Sequence, residues 1–425
     1  MQNTVKQYKA ILAKRNALSH AMGVLSYDSE TAMPKNGAPH MAETMAILSE
    51  ESYKLQVNEE VRGLLNKLNA NSESLDEITR REVEEELKQL KKLENVPIEE
   101  YAAYSRLISE ASVKWREAKQ TNDYPLFKPY LERIIAAQKS LMAHMYPGKD
   151  TYDALLEEFS EGLSVEMLDP FFANVKAKLV PVIHAVCQSG NQADDSLLHR
   201  PFPIEGQRRL SSFVMDFLGI DRDSCVIGEV EHPFTTEFNK HDVRLTTHYH
   251  EDDVLSNMFS VAHEGGHCLY ELNMGDELIG SPLSGGATMT LHESQSRLFE
   301  NMICRSREFI ALLYPKMKEI FPEQMQGVSE EMLYRAANKS MPSLIRTEAD
   351  ELTYPLHIMV RYEIEKKLIA GTLSVDELPA EWNRLYKEYL GVDVPDQPLV
   401  RRHDRLFPVL LRGQRVFRAD ISQHL

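Results

Sequence analysis

One five-residue stretch limits what this chain can become: His263-Glu264-Gly265-Gly266-His267. Around it Leu255, Phe259, Ala262 and Leu269 recur at helical spacing, so residues 252–273 read as one helix. On a helix, positions i and i+4 lie one above the other. His263 and His267 therefore point into the same volume and can share one metal ion. Glu264 sits one step round, where its carboxylate can reach a water on the metal rather than the metal itself. A Lewis acid, a bound water of lowered pKa and a base are what peptide hydrolysis needs. For these five residues alone, two histidines on an ordinary helix remain the alternative. Gly265 and Gly266 argue against it: each costs about 1 kcal/mol relative to alanine inside a helix. A helix that keeps both has something bulky against its backbone.

A second polar cluster, His292-Glu293-Ser294-Gln295-Ser296-Arg297, interrupts what otherwise reads as a helix over 288–315. Glu293 follows His267 by 26 residues, enough for a helix end, a loop and a return. It can be the third protein ligand and leave the fourth position to water. Cys268, at i+5 from His263, faces away and reads as a buried thiol.

Composition excludes several other classes. The formal charge of −17 argues against nucleic-acid binding, which favours a positive footprint. No run of 18 apolar residues exists to cross a membrane. Four scattered cysteines make no disulfide framework, and the polar N-terminus has no long apolar run, so a cytoplasmic protein is expected.

Residues 1–150 read as almost wholly helical, with a break at Pro34 and Gly37 and helices over about 40–55, 76–93, 97–119 and from Pro129 onward. Helices over about 152–159, 170–187 and 205–217 follow. The pattern turns to period two over His241–His250, a strand whose Asp242, Arg244, Thr246 and His248 share a polar face. Glu231–Thr235 is its partner strand or lead-in, and an edge strand here could hold an extended peptide. Pro342 opens a helical run in which Arg346 and Asp350 are four apart and can pair. Pro355 can kink it near Tyr354 and His357. Ser374 and Glu377 form a capping box before the last clear helix, around 381–389. From Gln397 the chain turns basic, with Arg401, Arg402, Arg405, Arg412, Arg415 and Arg418.

Taken together, these motifs resemble the carboxypeptidase Taq-like metallocarboxypeptidases, peptidase family M32. Tyr27-Asp28-Ser29-Glu30-Thr31-Ala32-Met33-Pro34 is similar to its W-D-x-x-T-x-M-P signature, with Tyr for Trp. His232-Pro233-Phe234 resembles its H-P-F, Asp242 to Thr246 its D-x-R-x-T, and His292 to Gln295 its H-E-S-x. Ile345 to Asp350 resembles I-R-x-x-A-D. The resemblance implies a mainly α, elongated helical metallopeptidase fold with a deep groove and a small β-sheet beside the H-E-x-x-H helix. It implies one catalytic domain over 1–396, with a helical part (about 1–150) covering the groove and a metal-binding core (about 225–360). It further implies a homodimer that binds one divalent metal per subunit, zinc or cobalt, and removes C-terminal residues one at a time from peptides with a free C-terminus.

By the same resemblance His263, His267 and Glu293 are ligands and Glu264 is the base. Arg244 and Arg346 are candidates to receive the terminal carboxylate, as a bidentate arginine fork can. His232 and His248 are candidates for assisting the oxyanion, and Asp242, Thr246, His292, Gln295, Asp350 and Tyr354 for support. An oligopeptidase or endopeptidase, or an inactive metal-binding homologue, is the alternative. Residues 397–425 depart from the family, which continues with G-x-x-Q-D-x-H-W. The segment reads like an altered reading frame or a truncation, and the expectation is metal binding with turnover weakened or absent.

Overall fold

Helix signals dominate the sequence, and the computed structural model follows them. It describes residues 1–394 except Glu231, His232, Ala287, Ile345, Thr347 and Glu348, so the His232 expectation and the basic tail lie outside the described residues. Helix α1 (Gln2–Thr31) stops before Pro34, and α2 (Ala38–Gln56) carries Pro39 in its first turn. Helices α3 (Glu59–Asn69) and α4 (Glu77–Leu93) start at Asn58 and Asp76, whose side chains accept from the Val61 and Thr79 amides. Helix α5 (Ile98–Thr121) ends at Asn122 in the left-handed conformation.

Two helices begin earlier than their prolines suggested, because the true caps lie upstream. Asp123 caps α6 (Tyr124–Met145) with Pro125 in its first turn, which leaves Pro129 inside the helix. After α7 (Thr151–Phe159), Ser164 likewise caps α8 (Val165–Gln188), which encloses Pro170.

Helix α9 (Ile204–Phe217) leads into a three-stranded sheet of β1 (Cys225–Glu229), β2 (Thr235–Asn239) and β3 (Asp242–Thr247). The order is β1-β3-β2, with β1 parallel and β2 antiparallel to β3. The alternating strand is therefore central, and β1 and β2 form the edges.

Helix α10 (Val254–Leu272) lies against β3 and α9 and is buried on most of its surface. The expected single helix over 288–315 is broken. Helix α11 (Met289–Arg297) widens into a π turn (Leu298–Ile303) before α12 (Arg307–Ile320), and the polar cluster sits inside α11 rather than interrupting it. Helices α13 (Glu330–Ala337), α14 (Tyr354–Ala370) and α15 (Leu378–Leu390) complete the described chain. Ser374 and Glu377 exchange hydrogen bonds as a capping box ahead of α15.

No helix begins at Pro342. The Asp350 carboxylate accepts from Ser340 Oγ and from the Met341, Leu352 and Thr353 amides. Such local side-chain bonds compete with the helical ladder and hold a loop. They also occupy Asp350, so it does not pair with Arg346. Pro355 opens α14 instead of kinking it.

The apolar core falls into three clusters. One joins α5 to α8 with α14 and α15, where Trp382 is fully buried and stacks on Tyr386. A second surrounds α10 with α9, the sheet, α12 and α13. A third, smaller one ties Tyr8 and Leu12 of α1 to α3 and α4. Among the described residues, no helix is long and apolar enough to cross a membrane.

Candidate active site

The first two clusters face each other across a cavity of about 970 Å³. One wall carries Tyr152, Leu155, Phe171 and Phe172, and the other carries α10 and α11. Of the first 150 residues, only Gln138 of the described chain lines it.

Helix α10 enters this space because both glycines let its neighbours close in. A Cβ on Gly265 would stand 2.4 Å from Leu218 Cδ1, just after α9. A Cβ on Gly266 would stand 2.7 Å from Ser296 Cα and 2.8 Å from the Gln295 carbonyl oxygen of α11. The backbones of α10 and α11 therefore touch at Gly266, one turn from Glu293. That contact brings Glu293 Oε2 to 3.5 Å from His263 Nε2 and 3.4 Å from His267 Nε2. The three candidate donor atoms all lie within 4.8 Å of one another.

The groups behind these side chains are charged and buried. Glu300, carried by the π turn, lies 2.8 Å from His263 Nδ1 and accepts from Arg297 at 2.9 Å. Arg297 also donates to Glu293 Oε1 at 3.0 Å and lies over the Tyr354 ring. His267 Nδ1 faces His292, whose other nitrogen meets Glu271 at 2.7 Å. Thr235 of β2 donates to Glu264 Oε2 at 2.8 Å. The donor set fits one divalent cation: two imidazole Nε2 atoms whose Nδ1 sides are already engaged, and one carboxylate.

The charges around the triad answer one another. Burial opposes charge on His263, but Glu293 and Glu300 push its pKa up to about 10. Burial holds His267 below the ordinary histidine value. Burial also opposes charge on Glu300, yet Arg297 and His263 hold its carboxyl down to about 2. Glu293 is held well below the usual carboxylate range, burial being outweighed first by His263.

Comparison with known proteins adds a family to this geometry. The profile of the carboxypeptidase Taq (M32) metallopeptidases matches residues 7–399. The chain belongs to this family. It is 40% identical to carboxypeptidase 1 of Bacillus subtilis over 387 residues, 91% of this chain and 77% of that one. It is 33% identical to thermostable carboxypeptidase 1 of Thermus thermophilus over 90% of this chain and 77% of that one. Its fold superposes on the M32 carboxypeptidase of Deinococcus radiodurans with a TM-score of 0.89 and 31% identity, covering 97% of this chain and 84% of the other. M32 membership makes the chain a metallocarboxypeptidase with a mostly helical fold, a small sheet and a divalent-metal requirement.

The residues singled out from the sequence divide by place. His263, Glu264, His267, Glu293, His248, Arg346, Asp350 and Tyr354 line the cavity. His292 stands behind His267, and Gln295 contributes backbone to the crossing at Gly266. Arg244 does not line the cavity. Asp242 holds it by two bonds of 2.9 Å, and it lies between the Tyr27 and Phe238 rings. Thr246 shares the face of Asp242 and Arg244 but is fully buried there, and its hydroxyl bonds both the amide and the carbonyl of Phe234. His248 Nε2 lies 2.7 Å from Ser256 Oγ. Sequence reasoning missed Glu271, Glu300 and Thr235. Glu271 had a signal, since it extends the spacing His263, His267 by another four residues. Glu300 and Thr235 had none.

Proposed function

We propose that His263, His267 and Glu293 hold one zinc or cobalt ion and that the enzyme releases single C-terminal residues from peptides with broad specificity, as carboxypeptidase Taq-type enzymes do. The observation that carries this reading is the presence of a buried guanidinium in the same cavity as the triad. Arg346 is 6% exposed, donates to Tyr354 OH at 2.6 Å and leaves its Nε without a partner. Among the described residues, no carboxylate lies within ion-pair distance of it. A buried arginine without a counter-ion is costly, and a substrate carboxylate would satisfy it.

The bound cation would supply Lewis-acid polarisation of the scissile carbonyl. Glu264, oriented by Thr235, takes the proton of the attacking water and passes it to the leaving amine. Arg346 fixes the end of the peptide, and Tyr354 links it to Glu293. The reading extends to a cytoplasmic homodimer, for which the four free cysteines fit a reducing compartment.

The test is digestion of matched free and C-terminally amidated peptides, followed by mass spectrometry with and without chelator. Stepwise loss from the free peptide only, abolished by chelator, is the expected result. Equal cleavage of the amidated peptide would overturn it in favour of an endopeptidase.

A further inference from the structure

The two candidate ligand histidines are oriented by different means. His263 meets a carboxylate directly, whereas His267 meets another imidazole. Its Nδ1 lies 2.6 Å from His292 Nδ1, and His292 Nε2 lies 2.7 Å from Glu271 Oε1. With Glu271 Oε1 accepting in this contact, His292 carries a hydrogen on Nε2. A neutral His292 then has a bare Nδ1, which also accepts. In that arrangement His267 donates from Nδ1, and its Nε2 keeps the lone pair for a cation shared with Glu293, 3.4 Å away.

We infer that Glu271, acting through His292, is a positioning residue that fixes the tautomer of His267. This rests on the reading that the triad holds a metal. Glu271 is 3% exposed and follows His267 by one helical turn on α10, so a single helix holds both ends of the relay. The middle of the relay sits in a built pocket. The Tyr270 ring meets His292 edge-on at 5.0 Å. A Cβ on Gly286, whose φ is +74°, would come within 3.0 Å of His292 Cδ2. Glu271 lies outside the triad of donor atoms, so it acts on the metal through two rings.

Nitrogen-15 imidazole spectra of the metal-free, histidine-labelled protein decide the central point, with His267 assigned by difference from His267→Gln. The expected spectrum shows His267 protonated on Nδ1 with a bare Nε2. The opposite tautomer overturns the inference without any further variant. Glu271→Ala and His292→Phe should each mix the two tautomers and weaken zinc binding about tenfold or more, measured by competition with a chromogenic chelator. Glu158→Gln, at a buried carboxylate bonded to Lys92 and Tyr146, should lose stability while leaving both readouts unchanged. Lowered stability in Glu271→Ala with an unmoved tautomer and unmoved zinc affinity would reduce Glu271 to a structural role and overturn the inference. Should Glu271→Ala not fold, the spectrum of the unmodified protein and His292→Phe still decide. Zinc binding that ignores His263 and His267 would overturn the functional reading, while the tautomer result would stand on its own.

Discussion

Replacing Gly266 with alanine puts a methyl group where α10 meets the backbone of α11. The new Cβ would stand 2.7 Å from Ser296 Cα, and neither partner is a flexible side chain that can swing away. Ordinary contact begins near 3.4 Å, so the helices must part by about 0.7 Å. Overpacking of this kind costs about 1–3 kcal/mol, and alanine returns about 1 kcal/mol of helix propensity. The net effect on the metal-free protein is a loss of about 0–2 kcal/mol. The effect on the site is larger, because Glu293 lies one turn before Ser296 and moves with it. Metal–ligand distances tolerate only about 0.2 Å, so zinc affinity should fall at least about tenfold. Gly63 in α3 is the control, since a Cβ there meets nothing within 4 Å. Gly63→Ala should stabilise the protein by about 0.5–1 kcal/mol and leave zinc binding alone. Urea denaturation in chelator and zinc competition measure the two quantities. A folded Gly266→Ala that binds zinc as tightly as the parent would refute the argument that helix approach sets the triad.

Glu264→Gln should lower kcat by about 10²- to 10⁴-fold while zinc binding persists, because under the proposed mechanism it removes the base and not a ligand. A variant that loses the metal along with the activity would show Glu264 to be a ligand. Arg346→Met should lower kcat/KM on free peptides by about ten- to a hundredfold, the worth of a charge-assisted hydrogen bond. Unchanged kcat/KM would remove Arg346 from substrate binding. Hydrogen bonds from Arg384, against opposing burial, and then from Lys367 hold the Glu381 carboxyl down to about 2. A carboxyl lowered on folding adds stability above its unfolded pKa of about 4.3 and loses it as pH falls toward 2. Glu381→Gln should thus cost about 0.5–1 kcal/mol at pH 7, with the gap to the parent narrowing as pH falls from about 4.5 toward 2 in calorimetric scans. A gap that stays constant across that range would show that the ion pair contributes nothing.

The helical class and the metal motif were legible because both are periodic. Spacing of four puts His263 and His267 on one face whatever surrounds them, and two glycines in a helix announce a close neighbour. The letters around Glu293, matched to the family motif, were enough to mark it as a candidate third ligand, and the fold brings its carboxylate to both histidines. Tertiary structure alone decided what stands behind those residues. Glu300 reaches His263 through a π turn for which the sequence carries no marker, and Thr235 reaches Glu264 only because β2 lies beside α10. The two arginines were equivalent as letters. Folding gave Arg244 a carboxylate and two aromatic rings, and left Arg346 buried on the cavity wall with one nitrogen unpaired. Local spacing fixes which face a residue occupies. What that face meets is set by contacts between segments far apart in the chain, and those depend on how the helices pack.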